Sequence, residues 1–444
     1  MSSLLSLLSV GSNAIAAQNS GVAVAANNVA NANTDGYSRE RSDPALPNAQ
    51  PQRLADDLLS GQIQTAAGSL AMSQAFADAL SELQSGLASG GATIDEQIGT
   101  MFSKFNAAAA SPTDSASRQA VVAAARDLVA GIQRRAAAVA TARKEADARI
   151  RDSASSATAL AKQLAAANTA VARSNDPSAR DHRDLLAKQL GQLVGGNARI
   201  DKDGQMRYVL DGGAVLVDGS HAATLATTPD STTGMSKVEV VTGAQRRDVT
   251  AAIGGGSIGA GLKFRDQTIP AVSGQLDQLA FDVTSQVNNV YTANAGLDGV
   301  SGRSMFTPLT QVSGAASAIA LDPGLSADPS QLALAAAGAG PGNNQGALAL
   351  SALGSQAVAS GGRTLGDAAI DVVSGVALAA SDANGDTTRD SLVSDHLAGL
   401  RDSLSGVDTQ EELTNLARFQ NASGAMTKFV STIDGMLSSL IDQL

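Results

Sequence analysis

The stretch EELTNLARFQNASGAMTKFVSTIDGMLSSLIDQL, residues 411–444, decides the architecture of the chain. Apolar side chains recur in it at alternating steps of three and four residues, which is the spacing of a coiled-coil seam. A helix with one narrow apolar stripe needs a partner helix to cover that stripe. The seam consists of Leu416, Phe419, Ser423, Met426, Val430, Ile433, Leu437, Leu440 and Leu444.

A weaker stripe with the same spacing lies at the other end of the sequence. Three of its positions carry small or polar residues, and a helix of this kind is poorly ordered alone. We therefore expect the first and last helices to pair as a coiled-coil-like core domain. Each helix is also compatible with packing on the core of its own domain, since periodicity does not identify a partner. The stripe consists of Leu5, Leu8, Ser12, Ile15, Asn19, Val22, Ala26 and Val29.

Composition limits the classes of protein that this chain can represent. Its 444 residues predict about three domains, and its net charge of -11 argues against nucleic-acid binding through a basic surface. The absence of cysteine excludes disulfides, thiol nucleophiles and thiolate metal sites. No apolar run reaches the roughly 20 residues of a membrane span, so no membrane insertion is expected. No positive residue precedes Arg39, which argues against a cleaved signal peptide.

Between the two ends, helical patterns surround a short β-rich region. Turn signals such as Asp203-Gly204 and Asp218-Gly219 separate strand-like runs between residues 198 and 241, which predicts a small antiparallel unit. Gly338 to Gly346 is predicted to be a loop. Helices are predicted from Arg53 to Ala110 with a break at Gly90-Gly91, and over 112–173, 180–193, 275–293, 347–359 and 389–404.

A glycine-rich run matches a nucleotide-binding pattern without its structural context. Gly254, Gly256 and Gly259 satisfy G-x-G-x-x-G. A dinucleotide site needs a strand before the motif and a helix that begins within it. Pro270 lies too close for a long helix, and no alternation of strands and helices surrounds the run. We interpret it as a flexible turn or hinge.

Other motifs are too incomplete to indicate chemistry. Asp382, Asn384 and Asp386 resemble the opening of a calcium loop, but Thr387 and Val393 stand where that loop needs glycine and glutamate. A solvated polar loop is the prediction there. The three histidines are scattered without paired ligand spacing. We therefore predict no catalytic residues, no cofactor and no metal site.

The stretch ANNVANANTDGYSRE, residues 26–40, resembles a signature of the axial proteins of the bacterial flagellum. Two internal stretches, 179–219 and 255–291, are similar to the hook-associated protein 1 family, the hook-filament junction family. Glu40 stands where this family commonly has glutamine, and Ser423 where it usually has an aromatic residue. The positions that match the signature are Asn28, Val29, Ala30, Asn31, Thr34, Gly36, Tyr37 and Arg39; those that match the terminal helix are Glu412, Leu416, Phe419 and Gln420.

The resemblance implies a structural protein of the flagellum, not an enzyme. Family members are extracellular, leave by the flagellar type III route without a cleaved signal peptide, and place both terminal helices around the export channel. The implied partners are the hook protein, hook-associated protein 3, further copies of the same chain and an export chaperone. The residues expected to contact partners are Leu5, Leu8, Ile15, Val22, Asn28, Asn31, Gly36, Tyr37, Leu416, Phe419, Met426, Val430, Ile433, Leu437 and Leu440.

The sequence therefore predicts a mainly α protein with a small antiparallel β unit, an elongated multidomain axial protein with a long-helix bundle in the middle. The alternatives are another axial protein such as hook-associated protein 3 or a hook-like protein, an enzyme carried on a flagellar scaffold, and a type III effector with coiled-coil ends. The predicted segments are 1–40 and 406–444 for the core helices, 41–194 and 251–312 for the helical domain, 195–250 for the β-rich outer domain, and 313–405 for an outer insertion with helices.

Overall fold

The computed structural model describes residues 2–42 and 51–442, so Leu444 of the predicted seam lies outside the described residues. The protein is mainly helical with small antiparallel sheets, as the sequence predicted. The helices are α1 (Ser2–Asn31), α2 (Asp57–Ala88), α3 (Ile94–Ala110), α4 (Ser115–Ser174), α5 (Pro177–Val194), α6 (Gly256–Lys263), α7 (Ile269–Tyr291), α8 (Ala315–Ala318), α9 (Pro323–Ala327), α10 (Gln345–Ala352), α11 (Leu365–Ser405) and α12 (Thr409–Ile441).

The strands are short, and they pair in four antiparallel sheets within the described part of the chain. Strands β3 to β6 form one sheet in chain order and β7 to β9 form another, so the predicted β unit consists of two sheets. The strands are β1 (Glu40–Arg41), β2 (Gln52–Arg53), β3 (Asn197–Ile200), β4 (Met206–Val209), β5 (Val215–Asp218), β6 (His221–Ala222), β7 (Thr224–Pro229), β8 (Ser236–Thr242), β9 (Gln245–Asp248), β10 (Asn294–Ala295) and β11 (Ala335–Ala336).

The long helix α4 organises the middle of the molecule. It has 60 residues, which makes it about 90 Å long. The Asp114 carboxylate accepts a hydrogen bond from the Ser117 amide at its start, and Asn175 ends it in the left-handed conformation at φ 52°. Pro177 then begins α5 without a lost hydrogen bond, because the first helical position needs no amide donor. The alanine-rich composition thus forms one continuous helix that reaches across two cores.

Two apolar cores lie along α4. The first joins its N-terminal half to α2, α3, α7 and α11 around side chains such as Phe105 and Leu128. The second joins its C-terminal half to α5 and the two β sheets, with Leu164 and Tyr208 fully buried. Asp147 ties the two regions together, since its carboxylate accepts from the Ser236 amide at 2.8 Å and from the Arg265 guanidinium at 2.6 Å.

The glycine run and Pro270 differ from their predicted roles. Gly256 has φ +64°, and a Cβ there would lie 2.4 Å from the Leu193 carbonyl carbon, so the run allows close backbone packing against the end of α5. The run contains the turn that begins α6, as predicted, but Gly256 and Gly259 lie within the helix and pack closely, so the run does not form a flexible hinge. Helical backbone continues through Pro270 because a π-helix at Phe264–Thr268 precedes it, and a widened turn accommodates a residue without an amide hydrogen.

The helix α11 is also longer than predicted. It has 41 residues and includes Asp382, Asn384 and Asp386, so the predicted polar loop is instead an exposed stretch of helix. Its buried side recurs at steps of three and four from Leu365 to Ala383, and it packs along α2. The sequence underestimated it because Gly385 and a row of aspartates lower helix propensity, whereas packing on α2 determines the outcome.

Candidate assembly interface

The first and last helices pack against each other in antiparallel orientation. A Cβ added to Gly11 would lie 2.6 Å from Val430 Cγ2, and one added to Gly21 would lie 2.8 Å from the Phe419 ring. Between these two contacts, the Ser423 hydroxyl donates to the Asn19 side-chain oxygen at 3.0 Å. The predicted pairing of the two ends is therefore confirmed, and glycines on α1 are what allow the close approach.

The face that α1 buries is not the predicted stripe. Leu5, Ser12, Asn19 and Ala26 of that stripe are exposed, while Leu8, Ile15, Val22 and Val29 are half-buried. The buried face lies about one residue, or 100°, around the helix from the predicted one. This prediction was wrong because glycine and alanine at the true seam carry no hydrophobic signal. The fully buried positions of α1 are Gly11, Ala17, Gly21, Val24, Ala25 and Asn28.

The helix α12 is covered even less. Only Glu412 and Ile433 are buried in its described part, while Leu416, Phe419, Val430 and Leu437 are half-buried. Met426 is 37% exposed and Leu440 is 43% exposed. Large apolar side chains exposed in this number on one helix pair are typical of a site that another protein covers. The pair leaves the following large apolar residues exposed: Leu5, Leu7, Val10, Leu413, Met426, Phe429, Met436, Leu440 and Ile441.

A buried asparagine connects the two helices to the segment that follows α1. Asn28 is 0% exposed. Its amide nitrogen donates to the Glu40 carbonyl at 2.9 Å and to the Glu412 carboxylate at 3.0 Å. Its oxygen accepts from the Tyr37 hydroxyl at 2.8 Å and from the Glu40 amide at 2.9 Å. All hydrogen-bonding groups of this side chain are therefore used inside one chain.

Charged groups surround this asparagine. Arg39 bridges Glu411 at 2.6 Å and Glu412 at 2.7 Å, which ties the segment after α1 to the first turn of α12. Burial raises the pKa of the Tyr37 hydroxyl well above its usual range. Burial also raises the pKa of the Glu40 carboxyl. Both groups are therefore neutral more readily than they would be in water.

Hydrogen bonds and an ion pair also connect the segment after α1 to the helical bundle. The Ser38 amide donates to the Asp181 carboxylate at 2.8 Å, and Arg53 bridges that carboxylate at 3.1 Å. From α11, the Arg401 guanidinium donates to the Tyr37 carbonyl at 2.8 Å. Burial raises the pKa of the Asp181 carboxyl despite its partners. The signature region thus acts as a clamp between the terminal helices and the bundle; we call Asn28, Tyr37, Arg39, Glu40, Asp181, Arg401, Glu411 and Glu412 the signature clamp.

Two further signature residues lie beside the clamp. The Asn31 side chain donates to the Asn27 carbonyl at 3.0 Å, and Gly36 turns the chain at φ 83° with Leu185 within 3.5 Å of its added Cβ. The prediction that the signature residues contact partners stays a prediction. Sequence reasoning missed Asp181 and Arg401, because separations of 143 and 364 residues leave no local pattern.

The described residues offer little support for other chemistry. They contain no group of three or more His, Cys, Asp or Glu side chains arranged to hold a metal ion. Across residues 2–42 and 51–442, no helix combines the length and the apolar character that a membrane span requires.

Two regions of the chain, one helical and one at its start, match known protein families. The family model described as flagellar hook-associated protein FlgK helical domain matches residues 80–306, and the model described as flagella basal body rod protein matches residues 8–37. Flagellar hook-associated protein 1 of Salmonella typhimurium is 25% identical over 333 residues, covering 69% of this chain and 60% of the relative. The protein of that name from Escherichia coli K12 is 25% identical over 332 residues, with the same coverage.

A solved structure shows the same fold. The flagellar hook junction protein FlgK from Burkholderia pseudomallei superposes with a TM-score of 0.71 at 16% identity, covering 78% of this chain and 100% of that one. The chain spans about 60% of the length of the curated relatives it matches. Because the helical-domain model alone accounts for more than half of the residues, the chain belongs to the FlgK family of flagellar hook-associated proteins.

Proposed function

We propose that this protein is a non-enzymatic structural adaptor at the junction between the flagellar hook and the filament. Its α1–α12 pair forms the axial core there, in contact with the hook protein, hook-associated protein 3 and further copies of the chain. The names of its relatives, which are hook-associated and hook junction proteins, support this assignment. The observation that carries it is the apolar surface that the two terminal helices leave uncovered.

The pairing geometry explains why this surface needs partners. Two helices of 30 and 33 residues can cover only the sides that face each other. Glycines at the contact bring the backbones close but bury little apolar area. Met436 and Ile441 remain 54% and 64% exposed. The pair therefore gains most of its stability when neighbouring subunits cover these side chains, so assembly includes coupled folding of the two helices.

The same surface supplies a reason for a chaperone. Before assembly, an export chaperone covers the apolar residues of α12 and keeps the chain from aggregating. The protein then leaves by the flagellar type III route without a cleaved signal peptide and acts outside the cell. Terminal helices that pack mainly against each other suit passage through a narrow channel, because few buried apolar contacts have to be broken.

A complementation experiment in the source bacterium tests the proposal. In a strain without the gene, the wild-type chain restores filaments on hooks, and Met436→Asp together with Ile441→Asp does not, since two charges then face apolar partners. The matched control is Leu348→Asp, which places the same change on an exposed leucine of α10. The variants are compared by electron microscopy of hooks and by filament protein released into the medium.

Two results of that experiment would contradict the proposal. Filaments that assemble normally in the strain without the gene would remove the junction role. Normal assembly with the double aspartate variant would show that the α1–α12 surface is not the contact. Circular dichroism of the purified variants confirms that the bundle is folded in each case, because the substituted residues lie outside both buried cores.

A further inference from the structure

The helix α4 carries a line of positive charge in an acidic protein. It has ten Arg and Lys against four Asp and Glu, a net charge of +6, while the whole chain has -11. Five of these side chains are exposed and lie on one line, because their separations of 18, 7, 11 and 11 residues are close to whole turns. We call them the basic line: Arg126, Lys144, Arg151, Lys162 and Arg173.

The helix α11 has the opposite character. It has seven Asp against two Arg, a net charge of -5. The face away from α2 carries Asp371, Asp382 and Asp386, and among them Leu378 and Leu392 are 65% and 67% exposed. Exposed leucines on a strongly acidic face indicate a contact surface that excludes nonspecific partners by charge. We call these five residues the acidic face.

The acidic face and the basic line lie at the same level of the bundle. Near the start of α2, Asp57 lines one cavity with Val171 of α4 and another with Val393 of α11. Further along α2, Glu82 bridges Arg149 of α4 at 2.6 Å. Because α11 runs antiparallel to α2, moving 25 residues along α2 from Asp57 to Glu82 corresponds to moving back about 25 residues along α11 from Val393. Glu82 is therefore level with about residue 370 of α11.

This alignment matches charges of opposite sign. The same rise places Arg151 level with about residue 373 of α11 and Lys162 level with about residue 384. Asp371 and Asp382 therefore lie within about one turn of these two heights. Arg151 and Lys162 are 11 residues apart, and so are Asp371 and Asp382. Asp371 is paired with Arg363 and Asp386 with Arg389 inside the chain, but such exposed pairs contribute little and leave the net charges unchanged.

We infer that the acidic face of one copy packs against the basic line of a second copy lying beside it. The two surfaces differ, so the contact is heterologous, and each copy offers one surface to each neighbour. Repeated contacts of this type close into a ring or continue as a helix around an axis. The inference rests on the proposed function, which requires several copies around one channel, and it adds a lateral contact between the bundles to the contacts of the terminal helices.

The absence of cysteine makes a crosslinking test direct. Flagella are isolated from cells whose only copy of the chain carries Lys162→Cys and Asp382→Cys, and are treated with a short bismaleimide. We expect a ladder of multimers on a denaturing gel, because every chain carries both surfaces. The control pair is Ser156→Cys with Asp382→Cys, since Ser156 is exposed on α4 about 120° away from Lys162.

A charge exchange tests the same contact without crosslinking. Asp382→Lys should reduce the amount of chain in isolated flagella, and Lys162→Glu in the same chain should restore it. Normal incorporation of Asp382→Lys would overturn the inference, as would a ladder equally strong in the control pair or absent from flagella that contain the chain. If the wild-type chain is missing from isolated flagella, the proposed function itself fails, and the inference falls with it.

Discussion

Replacing Asn28 with alanine should release the terminal helices and leave the bundle intact. The substitution removes four hydrogen bonds of 2.8–3.0 Å at a site that water does not reach. The half-buried Tyr37 hydroxyl can turn to solvent, and Glu412 keeps its bridge to Arg39. The amide and carbonyl of Glu40 stay buried without their partner.

The expected loss follows from those two backbone groups. Each buried group left without a partner costs about 1–3 kcal/mol, so the clamp should lose about 2–6 kcal/mol. That energy keeps α1 and α12 against the bundle, whereas both apolar cores lie elsewhere. Amide hydrogen exchange in the two helices should therefore become about thirty-fold faster or more. The thermal midpoint of the bundle should not change.

The assay is hydrogen exchange with mass spectrometry on the purified monomer. The matched control is Asn13→Ala, an exposed asparagine of the same helix, which should leave exchange close to that of the wild type. Unchanged exchange in Asn28→Ala would refute the reasoning, because the clamp would then not hold the helices. Faster exchange spread equally over α4 and α7 would refute it as well, since the site would then belong to the global fold.

Four further substitutions probe the helix pair and the bundle. Gly21→Ala should speed hydrogen exchange in α12, because the added Cβ would lie 2.8 Å from the Phe419 ring. The Cβ of Gly424→Ala would meet no atom within 4 Å, so this substitution should stabilise α12 by about 1 kcal/mol. Burial raises the pKa of the Glu40 carboxyl, so the stability contributed by its protonated form is present at acidic pH and lost as the pH rises through that raised value. Glu40→Gln should therefore increase the protection of α1 from hydrogen exchange at neutral pH and remove this pH dependence. Arg135→Met should lower the thermal midpoint of the bundle by calorimetry, since the guanidinium donates to the carbonyls of Leu87, Gly131 and Ala92. An unchanged midpoint would show that water or other donors replace it.

Much of the helical fold could be predicted because strong local signals mark its boundaries. Pro112, Asp114 and Pro177 bracket α4, and the sequence places that helix within a few residues of its observed ends. The pairing of the two ends was also predictable, since α12 has an apolar stripe that needs a cover. The stripe on α12 did not show which side of α1 faces it, because Gly11 and Gly21 on that side allow close approach of the backbones without adding apolar area.

The rest depends on contacts between distant residues. Pro270 lies within helical backbone only because a π-helix precedes it, which no local propensity records. Asp382 lies in a helix because the opposite side of α11 packs on α2. The roles of Asp181 and Arg401 in the signature clamp depend on the final arrangement of α5 and α11 around the segment after α1. The sequence alone does not show which residues these side chains contact.

The antiparallel pairing of α1 and α12 has a practical consequence for labelling. The first turn of one helix lies beside the last turn of the other, so fluorophores or affinity tags at the two ends would lie close together. The turn between β7 and β8 is a better place for a probe, because residues 231–234 are exposed and lie outside both the clamp and the terminal helices. A single Thr232→Cys there would be the only thiol in the protein. Light microscopy of live cells could then follow the labelled protein without disturbing the ends.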